Sequence, residues 1–268
     1  MKTIIFDGKE FAAEKEIILS NRVLGLKTRE VYPKLASILI GKDPASQLYV
    51  SLKKKVAERI GAEVDIYLIK ENSKPEDLIL LIKTLNVDKS VYGIMIQMPI
   101  PGKMGNLKDT IVSSIKPEKD VDGLRVDSPF LHPTSKAVME IIEEAKKGIS
   151  LKGNPCKVVV VGATGMAGKP LVGELKKEKY EVIECNTKTS DLKKETLQAD
   201  ILVSVTGMPN VIKGDMVKSG VVVIDVGSPK GDVEFDSVSP KASFITPVPG
   251  GVGPVTISCL LENLISAC

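Results

Sequence analysis

Seven short apolar runs punctuate the sequence: PKLASILIG (33–41), EVDIYLI (63–69), YGIMIQM (92–98), KVVVVG (157–162), YEVIEC (180–185), ILVSVTG (201–207) and VVVIDVG (221–227). Between them lie segments with helical periodicity, at 9–26, 45–60, 74–85, 107–115, 135–147 and about 165–178, and an apolar helix follows at 256–265. Strands that alternate with helices of this length form parallel sheets covered by helices. The alternation breaks once, at the polar, turn-rich KPEKDVDG (116–123), and then restarts. The expectation is therefore α/β architecture in two domains, joined near residues 120–150, which 268 residues accommodate.

Composition narrows the function. Net charge is +3 and forms no basic block, so a nucleic-acid footprint is not expected. Cys156, Cys185, Cys259 and Cys268 show no CxxC spacing, and His132 is the single histidine, so no metal site is expected. The N-terminus turns charged after three apolar residues, and no run approaches the ~18 apolar residues of a membrane span, so neither a signal peptide nor a membrane partner is expected. The chain reads as cytoplasmic and reduced. With no Trp and only 4% aromatic residues, its core must be aliphatic.

Gly162, Gly165 and Gly168 follow the apolar run at 157–161 and open a helix. In that context glycines allow a tight turn, and helix amides can hold a pyrophosphate; glycine-rich turns of the same kind also occur in folds that bind nothing. The next strand runs into Cys185-Asn186-Thr187-Lys188-Thr189, with hydroxyls and a lysine where an acid would select NAD. That turn favours NADP, with Glu184 just inside the strand as a competing feature and a plain solvated loop as the alternative.

In the helix at 45–60, Leu48, Leu52, Val56 and Ile60 recur every fourth residue and are expected to form the buried stripe, with Tyr49 and Lys53 on a second row at its edge. A partly desolvated lysine there would have a lowered pKa and serve as a proton acceptor. The competing reading is that Lys53, Lys54 and Lys55 form a solvated charged run. Gln97 stands near the carboxyl end of an apolar strand, either as a structural amide or as a site amide. The acids Glu118, Asp120 and Asp122 suit either turn chemistry or a site. TPVPGGVGP (246–254) suits a ligand-contacting loop, and His132 reads as a helix-entry residue without chemistry.

Taken together, DPASQLYVSLKKK (43–55), GIMIQMPIP (93–101), PEKDVDG (117–123), VVVVGATGMAGKP (158–170), ADILVSVTGMP (199–209), VVVIDVG (221–227) and ASFITPVPGGVGPVT (242–256) resemble the bifunctional methylenetetrahydrofolate dehydrogenase/methenyltetrahydrofolate cyclohydrolase family. The resemblance implies a cytoplasmic, homodimeric enzyme of one-carbon metabolism whose partners are tetrahydrofolate derivatives and whose cofactor is NADP. It implies a folate-binding domain at 1–123 plus 247–268, completed by the C-terminal helix, a Rossmann-type domain at 124–246, and folate in the cleft between them. Lys53 would be the catalytic lysine, Tyr49 the ring over the folate, Gln97 the partner that sets the state of Lys53, and Asp122 the acid holding the pterin. Ser46, Pro249, Gly250, Gly251 and Val252 would contact substrate. Gly162, Ala163, Thr164 and Ser228 fall at cofactor positions, alongside Gly165, Gly168, Thr187 and Lys188.

Two departures stand out. The family's GRS turn reads Gly162-Ala163-Thr164, which loses an arginine suited to phosphate, with Thr187, Lys188 and Thr189 left to compensate. The stretch after DVDG is shortened to LRVDSPFLHPTS, and the family's PCTP reads His132-Pro133-Thr134-Ser135. A dehydrogenase-only enzyme using NAD or NADP and a noncatalytic nucleotide-binding protein are the alternative readings.

Overall fold

The computed structural model describes residues 2–149 and 156–268. In chain order the elements are β1 (Ile4–Ile5), α1 (Gly8–Lys27), β2 (Lys34–Ile40), α2 (Pro44–Ile60), β3 (Glu63–Ile69), α3 (Pro75–Val87) and β4 (Gly93–Ile96). There follow α4 (Lys108–Ser113), α5 (Pro133–Gly148), β5 (Lys157–Val161), α6 (Gly168–Lys177), β6 (Glu181–Cys185), α7 (Leu192–Thr196) and β7 (Ile201–Ser204). The chain then forms β8 (Val222–Asp225), α8 (Phe235–Val238), β9 (Phe244–Ile245) and α9 (Val252–Ser266).

The chain divides into two compact units, Ala13–Pro133 with Ile257–Cys268 and Met1–Ala12 with Thr134–Thr256. In the first, three parallel strands lie in the order β3-β2-β4. One face is covered by Leu19 and Val23 of α1, Val56, Ala57 and Ile60 of α2, and Leu260, Leu261 and Leu264 of α9. The other packs on Leu78, Ile82 and Leu85 of α3 and Ile111 of α4. Burial on both faces is what parallel strands built from unbroken apolar runs require. Each fully buried Leu or Ile contributes about 2 kcal/mol, so α9 is an integral layer of this unit.

The second unit is a six-stranded, all-parallel sheet in the order β1-β9-β8-β7-β5-β6. The chain passes from β5 outward to β6 and then returns to the other side of β5 as β7. This reversal leaves a topological switch point at the carboxyl ends of β5 and β7, where open α/β sheets place their ligands.

The unit boundaries differ from the sequence expectation at three places. Residues up to Ala12 belong to the second unit because β1 pairs with β9, Ile4 opposite Phe244. Residues 124–133 belong to the first, since Arg125 Nη1 donates to Ile115 O at 3.0 Å and Asn263 Nδ2 donates to Leu131 O at 3.0 Å. Residues 247–256, the loop and the first residues of α9, belong to the second. Two-residue strands such as β1 and β9 leave no periodicity to read. The glycine-turn helix, α6, begins at Gly168 and not near 165.

Candidate functional site

The first group of site residues is built on α2. Pro44 stands at the first helical position, and the Asp43 carboxylate accepts from Ser46 N at 2.8 Å, an N-cap that fixes the helix start. The Ser46 backbone amide, with the Ser46 hydroxyl adding to it, holds the Asp43 carboxyl below its usual range. Ser46 is thus buried and occupied in capping.

The expected stripe is not the buried one. Leu48 and Leu52 are 58% and 37% exposed, whereas Ser46, Val50, Lys53, Val56, Ala57 and Ile60 are buried. A strict four-residue spacing drifts about 40° per step on a helix of 3.6 residues per turn, so Leu48 has rotated out by the time Ile60 is in. The 4-3-4-3 spacing of Ser46, Val50, Lys53, Ala57 and Ile60 holds one face, and Lys53 lies at its centre. The solvated-run reading of Lys53 is therefore overturned: it is only 9% exposed, while Lys54 and Lys55 point to solvent. Tyr49, one turn earlier, is half-buried.

Lys53 Nζ donates to Gln97 Oε1 at 2.8 Å. Gln97 Nε2 donates to Met98 O at 2.9 Å, which commits its NH₂ group and turns its carbonyl oxygen toward the lysine. Burial pushes the Lys53 ammonium below its usual range, and the nearby Asp122 carboxylate opposes that shift. The structure thus brings Lys53, Gln97 and Asp122 together around one buried amine.

The acids of the 117–123 loop divide between the two roles open in the sequence. Asp120 is fully buried, accepts from Arg125 N at 2.8 Å, and is pushed by burial up to about 6, with Asp122 adding to the shift. It is the turn acid, and Asp122, half-buried, is the one beside Lys53. A carboxyl raised from 3.8 to about 6 binds its proton more tightly in the folded state. Its stabilising contribution is present below about pH 4 and lost as pH rises through about 6, up to about 3 kcal/mol. Asp120→Asn is expected to flatten the fall in unfolding free energy between pH 4 and 6, measured by urea titration at each pH.

The second group lies at the switch point of the six-stranded sheet. Gly162 has φ of 90°, and a Cβ there would stand 2.5 Å from Val205 O, so only glycine fits between β5 and the end of β7. The amides of Gly162 and Ala163 both donate to Cys185 O at 2.9 and 3.1 Å, and Gly165 N donates to Gly162 O at 2.9 Å. Those three amides are thus committed to the turn. Among the described residues, the Thr164 and Met166 amides have no protein acceptor.

Thr187 and Lys188 are exposed in the adjoining loop, where Asn186 Oδ1 accepts from Lys188 N at 2.8 Å and Thr189 Oγ1 accepts from Asn186 N at 2.9 Å. Glu184 is exposed and pairs with Lys176 Nζ at 2.5 Å. Ser228 is exposed beyond the carboxyl end of β8. Pro249, Gly250 and Gly251 belong to this unit and not to the one carrying Lys53. Gly251 N donates to Pro247 O at 2.9 Å, and Asp225 N donates to Thr246 Oγ1 at 2.8 Å, tying the loop to β8.

The model of the tetrahydrofolate dehydrogenase/cyclohydrolase catalytic domain matches residues 6–122, and that of the family's NAD(P)-binding domain matches residues 132–268. The chain belongs to the tetrahydrofolate dehydrogenase/cyclohydrolase family. It is 42% identical to the bifunctional protein FolD of Exiguobacterium sibiricum over 98% of this chain and 99% of that one. The FolD crystal structure from Campylobacter jejuni superposes with a TM-score of 0.90 at 38% identity, covering 99% of this chain and 98% of the other. The Trypanosoma brucei FolD, solved with NADP and an inhibitor, gives 0.91 at 32% identity, covering 100% and 97%. The two tetrahydrofolate dehydrogenase/cyclohydrolase domain matches leave out residues 1–5 and 123–131, the latter overlapping the shortened segment.

One residue that sequence reasoning set aside belongs with the first group. His132 does precede α5, but its imidazole is 7% exposed and interacts electrostatically with Asp122, Lys53 and Lys108. The signal was a lone histidine directly before a helix-starting proline, which is uninformative by itself.

Proposed function

We propose that the chain oxidises 5,10-methylenetetrahydrofolate to the 5,10-methenyl compound with NADP and hydrolyses the product to 10-formyltetrahydrofolate, with Lys53 as the proton-handling group. Membership of a dehydrogenase/cyclohydrolase family along the whole chain supplies the two reactions. The observation that carries the residue assignment is the buried Lys53 amine, bonded to an orientation-locked Gln97 and facing Asp122.

When bound, the nicotinamide accepts the hydride, and the protein's contribution to that step is orientation. Hydrolysis needs more from the side chains. Water adds to the methenyl carbon, a proton must leave that water, and another must reach the departing ring nitrogen. An amine whose basicity burial lowers can both accept and return a proton, and Gln97 holds it at one place. Asp122 would hold the amino-pyrimidine edge of the pterin, and Tyr49 would lie against the folate. Ser46, occupied by Asp43, would contribute chiefly by starting the helix that carries both.

The second unit fits a dinucleotide. The Thr164 and Met166 amides would face the pyrophosphate, with Gly165 and Gly168 keeping the turn open and Ser228 beyond β8. Ala163 is buried and brings no charge to a 2′-phosphate, so Lys188 would be its cation. The loop Pro249-Gly250-Gly251 would contact folate. Lys188→Glu is expected to lower kcat/KM for NADP by about tenfold and to leave NAD turnover nearly unchanged, since an exposed charge contact with phosphate is worth about 1–2 kcal/mol. Parallel steady-state assays with both cofactors measure it.

The same reading makes the protein a cytoplasmic homodimer supplying one-carbon units for purine, methionine and histidine synthesis. Among the described residues, no helix is long and apolar enough to cross a membrane. The deciding experiment follows both reactions in one sample, with each cofactor. Oxidation with accumulating methenyl compound would mark a dehydrogenase-only enzyme, and cofactor binding without turnover a noncatalytic one.

A further inference from the structure

His132 is held close to the Lys53 centre by backbone geometry. The side-chain amide of Asn263, on α9, donates one hydrogen to Val121 O and the other to Leu131 O, both at 3.0 Å. A single group therefore clamps the peptide before Asp122 to the peptide before His132. The clamp is tight: a Cβ on Gly123 would stand 2.7 Å from His132 N and 2.6 Å from Phe130 O.

The His132 ring, which interacts electrostatically with Asp122, is more than nine-tenths buried, and its Nδ1 has no hydrogen-bond partner among the described residues. Three charged groups act on it: Asp122 from the same clamp, Lys53 from α2 and Lys108 from the start of α4. Burial dominates and pushes the imidazole below its ordinary value, as do the two lysines, while Asp122 pulls it up. Protonating the ring introduces a second cation acting on the same carboxylate as Lys53.

We propose that His132 is a positioning residue of the Lys53 centre: its neutral form leaves the Asp122 carboxylate to Lys53 and to substrate, and its protonated form competes for that carboxylate and disables hydrolysis. This rests on the hydrolytic role assigned to Lys53 above. It adds that the acid limb of the hydrolysis pH profile reports His132 and not Asp120, whose carboxyl burial pushes up to about 6.

As the chain contains one histidine, its imidazole proton resonance in the tag-free protein is unambiguous, and titrating it tests the coupling without any turnover. The midpoint is expected below the ordinary ~6.5, lower still in Asp122→Asn and higher in Lys53→Met. In His132→Gln the acid half-point of methenyltetrahydrofolate hydrolysis is expected to fall by about half a unit or more, with a thermal melt confirming the fold. A midpoint indifferent to both substitutions overturns the proposal, as does an acid limb that persists in His132→Gln but moves in Asp120→Asn. Absence of hydrolysis by the unmodified protein at pH 8 would instead defeat the assigned activity.

Discussion

Lys53→Met is expected to lower methenyltetrahydrofolate hydrolysis by about 10³-fold, within the range that a positioned proton-transfer group supplies, while cofactor binding and the fold survive. The stability side is a near balance. Removing the ammonium leaves Gln97 Oε1 without its 2.8 Å donor, a loss of about 1–3 kcal/mol. It also removes the desolvation of a buried charge, which is of similar size and opposite sign. Methionine has nearly the length of the lysine stem and leaves little cavity. A thermal melt, an NADP titration and a stopped-flow hydrolysis assay separate the outcomes. Wild-type hydrolysis in this variant would remove Lys53 from the mechanism, and a collapsed melting transition would show that the lysine is primarily structural.

The second large effect is steric. A Cβ at Gly168 would stand 2.2 Å from Gly162 O, 2.9 Å from Gly162 C and 3.1 Å from Ala163 Cα. Every one of these atoms is backbone, so no rotamer change relieves the clash; the turn itself must move. That turn is fixed through Gly162 and Ala163 to Cys185 O, so Gly168→Ala is expected to cost more than about 3 kcal/mol and to abolish measurable NADP binding. Gly173 lies in the same helix and has nothing within 4 Å of its would-be Cβ. Gly173→Ala should stabilise by about 0.5–1 kcal/mol. Urea denaturation of the pair provides an internal control, since a general intolerance of α6 to substitution would move both in one direction.

Much of this was legible in the residues. The runs at 63–69 and 157–161 are strands almost to the residue: the buried β5 needs an unbroken apolar stretch, while the edge strand β3 is largely exposed and mixes charged with apolar residues. The helix start at Pro44 is written in Asp43 and Ser46. Lys53 was harder to place. A row of leucines at constant spacing drew attention to the wrong face, whereas the alternating spacing that ends at Ala57 and Ile60 carries the lysine through the core. The division of labour between Asp120 and Asp122 could not be read from a loop holding both, since burial depends on Arg125 and Asn263, the latter far along the chain. His132 was illegible for the same reason: the peptide that holds it is clamped by a residue on α9.

The pairing of Ile4 with Phe244 also bears on how the molecule is made. A ribosome releases β1 long before its partner strand exists, and the first unit waits similarly for α9, whose Leu260, Leu261 and Leu264 line its core. Neither unit can close while the chain is still emerging at mid-length, so their final contacts are long-range and slow to form. Nascent chains stalled near residue 240 should therefore be protease-sensitive in both units. Resistance should appear only once α9 has cleared the exit tunnel.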